Sequence, residues 1–70
     1  MTEVRAEITA TVWQVRVEVG QHVAFDDELV ILESMKMEIP VVAPSSGTVA
    51  AVHVAPEDRV EEGALLVTLE

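Results

Sequence analysis

One side-chain amine is available for chemistry in the whole chain: Lys36, in the run Ser34-Met35-Lys36-Met37-Glu38-Ile39-Pro40. A lysine nitrogen is a nucleophile, and in an exposed turn it would present its amine to solvent, clear of the fold. Its flanks, Met35 and Met37, are apolar side chains that gain nothing for a core if the run is an exposed turn. Methionine is soft and adaptable, and the pair could form a contact surface for another protein. Read without context, Lys36 is a solvated turn residue and the methionines are core filler. Glu33 and Glu38 read as solubilising charges. His22 and His53 are candidates for metal or acid–base work, but neither sits in a context that makes it a base, and no Ser/His/Asp set or carboxylate pair is credible.

The balance of the composition narrows the choices. Thirteen Asp and Glu against four Lys and Arg give a formal net charge of −9 and a pI near 4.4. Such a chain cannot neutralise a row of phosphates, which excludes nucleic acid, and the same sign excludes an anionic membrane surface. There is no cysteine, hence no disulfide framework and no thiolate zinc site. Half of the residues are hydrophobic and 24% are charged, too apolar for disorder and too interrupted by charge for a membrane protein. Residues 1–70 therefore read as one small globular domain. With neither a signal segment nor cysteine, the cytosol is the expected compartment.

An internal repeat organises the elements that must position Lys36. Residues 41–70 laid over 4–33 without a gap give 11 identities in 30 positions, from Val4/Val41 and Ala6/Ala43 to Leu32/Leu69 and Glu33/Glu70. Two similar halves about a pseudo-twofold axis follow. Trp13, Val15, Val17 and Val19 alternate with Gln14, Arg16 and Glu18, which predicts a half-buried strand with Trp13 as a core anchor. Ala50, Val52 and Val54 take the matching inward positions. His22 and His53 align with Arg59 and Arg16, at outward positions. The runs Leu29-Val30-Ile31-Leu32 and Leu65-Leu66-Val67 read as strands covered on both sides. Turns are predicted at Gly20-Gln21 with Glu57-Asp58, at Asp26-Asp27 with Gly63-Ala64, and at Pro44-Ser45-Ser46-Gly47, where Gly47 is expected to take positive φ. About eight short strands result. A flattened all-β barrel or sandwich of two antiparallel sheets is the economical way to bury them. If Glu28–Glu33 is a strand and Met37–Val41 its return, Lys36 lies at the tip of the hairpin that joins the halves.

Glu33-Ser34-Met35-Lys36-Met37-Glu38 resembles the attachment motif of the biotinyl domain family, and Ala43-Pro44-Ser45-Ser46-Gly47-Thr48-Val49 is similar to its second hallmark. The resemblance covers nearly the whole chain, repeat included. It implies a flattened barrel of two four-stranded sheets with quasi-twofold symmetry, and biotin joined to Lys36 by an amide. It also implies a biotin carboxyl carrier that is not itself an enzyme, moving a carboxyl group between a biotin carboxylase and a carboxyltransferase. A biotin protein ligase would read Met35 and Met37 along with the lysine. The first half departs from the family at Ala6-Glu7-Ile8-Thr9-Ala10-Thr11-Val12, where Glu7 and Ala10 replace a proline and a glycine, and at Asp26-Asp27, where a Gly-Asp turn is usual. The gapless offset leaves no room for the protruding segment of some bacterial members. Met1 and an end on the last predicted strand point to a stand-alone carrier. Two other readings compete: a lipoyl carrier, whose family typically has Asp-Lys-Ala in place of Met35-Lys36-Met37, and an unmodified acidic β-module that serves only as an interaction scaffold.

Overall fold

Fourteen valines among 70 residues favour a pleated chain, and the computed structural model, which describes residues 1–70, contains strands and no helix. The strands are β1 (Thr2–Arg5), β2 (Ala10–Val15), β3 (His22–Val23), β4 (Glu28–Ser34), β5 (Met37–Val42), β6 (Gly47–Val52), β7 (Arg59–Val60) and β8 (Leu65–Leu69). They form two antiparallel four-stranded sheets, ordered β1-β8-β6-β3 and β5-β4-β2-β7. Exchanging β1 with β5, β2 with β6, β3 with β7 and β4 with β8 turns one order into the other. The pseudo-twofold axis therefore swaps the sheets, and each sheet takes two strands from each half.

The symmetry extends to single hydrogen bonds. The Asp26 N–H donates to the Ala43 carbonyl at 2.8 Å, and the Gly63 N–H to that of Ala6 at 2.8 Å. The Gly20 N–H reaches the Val49 carbonyl at 2.8 Å, and the Glu57 N–H that of Val12 at 2.7 Å. Both pairs of turns need a left-handed residue, with φ of 93° and 78° at Gly20 and Glu57, and 75° and 91° at Asp26 and Gly63. The predicted turns are thus real, and glycine relieves the left-handed strain once in each pair.

Sixteen residues are buried, and all of them are apolar. The central strands supply the most deeply covered: Leu29, Val30 and Leu32 from β4, Leu66, Val67 and Leu69 from β8. Each such side chain contributes about 1.5–3 kcal/mol of hydrophobic stabilisation.

The phase predicted for β2 and β6 needs correction. Trp13 is 45% exposed and Val19 65% exposed, whereas Val12 and Val49 are each 1% exposed. The register of β2 on β4 shifts between Val12 and Gln14, and that of β6 on β8 shifts between Val49 and Ala51. A bulge at Trp13 and its equivalent at Ala50 adds one residue to the strand and moves the inward set. Val17 is buried, while Val15, Val52 and Val54 are only partly covered. Trp13 is not a core anchor, and Val19 stands on a turn.

The Pro44–Gly47 segment is also different from expectation. The chain bends at Pro44–Ser45, and Gly47 already opens β6 without positive φ. Glycine is needed there for another reason: a Cβ on Gly47 would stand 2.6 Å from the Glu70 carbonyl oxygen. Ala10, its counterpart, opens β2 with its methyl group buried.

Candidate functional site

β4 and β5 form the longest ladder in the molecule, pairing Ile31 with Pro40, Leu32 with Ile39, Glu33 with Glu38 and Ser34 with Met37. Only Met35 and Lys36 lie between the closing pair. A two-residue connection in a right-twisted hairpin calls for positive φ at both central positions, a conformation that Asn and Gly adopt most readily. Met35 and Lys36 adopt it nonetheless, with φ of 52° and 64°. Each such residue costs on the order of 1 kcal/mol. The ladder and the buried run Leu29–Leu32 beneath it hold the turn in place.

The predicted lysine therefore stands at the tip of the hairpin that links the halves, and it is exposed. Its nitrogen takes part in none of the side-chain hydrogen bonds or ion pairs of the molecule. Met35 is 93% exposed and Met37 64% exposed, which removes the core-filler reading for both. An exposed primary amine between two solvent-facing thioethers, mounted on a rigid ladder, can be acylated by a second protein that approaches from the end of the barrel. The site thus fits a group joined by an amide to lysine.

Sequence reasoning missed one feature of this hairpin. Glu33 and Glu38 face each other directly across the strands. Pro40, which lacks an N–H, marks its pair with Ile31 as one without ladder hydrogen bonds, and a step of two makes Glu33/Glu38 the same kind, the one with the closest side chains. The signal was available, because a two-residue loop at positions 35 and 36 dictates this register.

His22 and His53 are exposed, as their alignment implied. The Nε2 of His53 and the hydroxyl of Thr68 are 2.9 Å apart. No group of three or more His, Asp or Glu side chains is arranged to hold a metal ion.

The family model described as "Biotin-requiring enzyme" matches residues 2–69. The chain is 46% identical over 67 residues to a biotinylated protein TB7.3 homolog of Mycobacterium leprae, covering 96% of this chain and 94% of that one. It is 42% identical over 64 residues to a biotin carboxyl carrier protein of Streptococcus mutans, covering 91% of this chain and 49% of that one. The crystal structure of the Kluyveromyces lactis urea carboxylase contains a region that superposes with a TM-score of 0.93 at 33% identity, over 99% of this chain and 6% of that one.

Proposed function

The chain belongs to the biotin-requiring enzyme family, and from that premise we propose that it is a biotin carboxyl carrier with the cofactor joined to Lys36. The observation that carries the assignment to this residue is the isolation of a single lysine at a two-residue hairpin tip, between two exposed methionines. Biotin supplies the capacity to accept and release a carboxyl group. The chain supplies a nucleophilic amine, a strained but rigid turn and an end-on presentation. In the loading reaction the Lys36 nitrogen attacks the activated carboxyl carbon of biotin held by a biotin protein ligase. The bond from that carbon to the activating group breaks, the nitrogen releases a proton to solvent, and a neutral amide forms.

Carboxyl loading and transfer then belong to partner active sites, a biotin carboxylase and a carboxyltransferase. The domain acts as a non-catalytic mount that raises the local concentration of the cofactor at both. Met35 and Met37 flank the amine on the face that the ligase and these partners meet, and adaptable thioethers suit a surface that must serve several.

Intact mass after co-expression with a biotin ligase tests the proposal. The expected result is one added biotinyl group, which removes one positive charge and takes the formal net charge from −9 to −10. Lys36→Arg should retain the fold and lose all streptavidin binding, because a guanidinium is no substitute for the amine. Biotinylation that persists in this variant would overturn the assignment. A bare mass here, with a lipoyl group added by a lipoate ligase instead, would make the chain a lipoyl carrier.

A further inference from the structure

The edge strands β1 and β5 belong to different sheets and do not pair with each other, and a groove of about 470 Å³ runs between them. Val4, Ile8, Leu32, Ile39, Pro40 and Val42 give it an apolar lining. Glu3 and Arg5 stand on its rim, joined by an ion pair of 2.8 Å. The groove starts beside the hairpin. Ile39 lies three residues beyond Lys36 on β5, about 10 Å along an extended strand. Ile8 precedes β2, whose Thr11 is opposite Glu33 next to the closing pair Ser34/Met37, and it lines the same groove as Ile39.

We propose that this groove is a resting site for the ring system of biotin carried on Lys36, an inference that rests on the carrier reading above. Reach is the first argument. The four lysine methylenes, the amide and the four methylenes of the biotin chain make about ten bonds, on the order of 12 Å when extended, enough to bring the rings over Ile8 and Ile39.

Chemistry is the second argument. The thioether face of the bicycle is apolar and matches Ile8, Ile39 and Pro40. Ile8 is 41% exposed and gains cover when the rings settle. The urea edge of the cofactor offers two N–H donors and one carbonyl. Along the open side of β5, Pro40 turns its hydrogen-bonding edge away from the ladder, and by the period of two Glu38 presents its N–H and carbonyl on the same side. A cyclic urea can pair with such groups much as a single peptide unit would.

Shape is the third argument. An added β-strand from another protein would need an N–H at position 40, and Pro40 has none. A compact ligand has no such need. The groove volume lies within the range of small-molecule sites. Docking must be weak, because the rings have to leave for each partner. Its effect is to divide the cofactor between a sheltered and a free population.

The test uses the full chain biotinylated on Lys36, with modification verified by intact mass. Isotope-filtered NMR should show contacts between the biotin ring protons and the methyl groups of Ile8 and Ile39. Streptavidin should capture the cofactor of Ile8→Asp at least about twofold faster than that of the parent chain, as expected if half or more of the cofactor is sheltered. The urea midpoint of that variant should remain close to the parent's. Absence of ring-to-methyl contacts in the parent chain, or equal capture rates for the two folded proteins, would overturn the proposal and leave the carrier reading intact. Should Ile8→Asp fail to fold, the contacts in the parent chain decide alone. An unmodified Lys36 after ligase treatment would overturn the carrier reading and the resting site together. Concentration-dependent shifts at Ile8 and Ile39 in the unmodified chain would place a second copy in the groove and overturn the proposal.

Discussion

Met35 and Met37 are more exposed than any core role permits, so their packing contributes almost nothing to the fold. Met35→Leu and Met37→Leu should leave unfolding free energy, measured in urea, within about 0.5 kcal/mol of the parent chain. Any loss should appear in the rate of biotin ligation or carboxyl transfer. A large fall in stability with unchanged kinetics would return the pair to the core. Gly47 is the opposite case, remote from the chemistry and intolerant of one carbon atom. Because a Cβ there would meet the Glu70 carbonyl at 2.6 Å, Gly47→Ala should cost about 1–3 kcal/mol in the same urea titration, the range for forced overpacking. A neutral result would mean that the end of β8 yields freely.

At the scale of the hairpin, two forces oppose its formation: left-handed backbone at Met35 and Lys36, and like charges at Glu33 and Glu38. The six register pairs between β4 and β5 outweigh both. Glu38→Gln should therefore stabilise the domain by about 0.2–1 kcal/mol at low salt, the range for one directly facing pair. Both carboxylates are exposed, so the gain should shrink at high salt as the repulsion is screened. Urea midpoints of the two proteins at two salt concentrations provide the check. A gain that does not depend on salt would point to packing and not to charge. The hairpin alone lacks this support, since two strands without a covering layer are marginal in water.

The two halves are not two modules. Each sheet draws strands from both, with β1 and β3 beside β6 and β8 in one and β2 and β4 beside β5 and β7 in the other. A chain divided within the hairpin would leave neither half a complete layer. The swap axis relates the two ends of the molecule, which differ only in that the chain is continuous at one and open at the other. β5 leads away from the tip for six residues, and the next strand opens at Gly47 against Glu70, with Thr2 paired to Leu69 nearby. The turn that carries Lys36 thus projects at one end of a body 31 Å long, and the chain termini meet at the other. If a ligase reads this folded end, a free peptide spanning Val30 to Val42 should be biotinylated far more slowly than the domain, by at least about tenfold. Equal rates would show that recognition is linear and that rigidity matters only for the later steps.

Much of this was legible in 70 letters because the chain repeats itself. An offset of 37 relates β2 to β6 and β3 to β7 to the residue, and the single lysine between the repeats has no other place than the connecting turn. Period two identified strands, and Leu29–Leu32 announced a strand covered on both sides. What one dimension could not carry was the bulge. Alternation placed Trp13 inward, but one extra residue opposite β4 inverted the phase and buried Val12 instead. A register shift depends on the partner strand, and no local pattern records it. Gly47 makes the same point, since its glycine answers a carbonyl 23 residues away and not a local turn. The groove between β1 and β5 exists only because two edges from opposite halves come side by side. Sequence alone determined where the single lysine is and which elements hold it. Tertiary structure decided what surrounds that amine, because close approach between distant segments is set by the packing of the sheets.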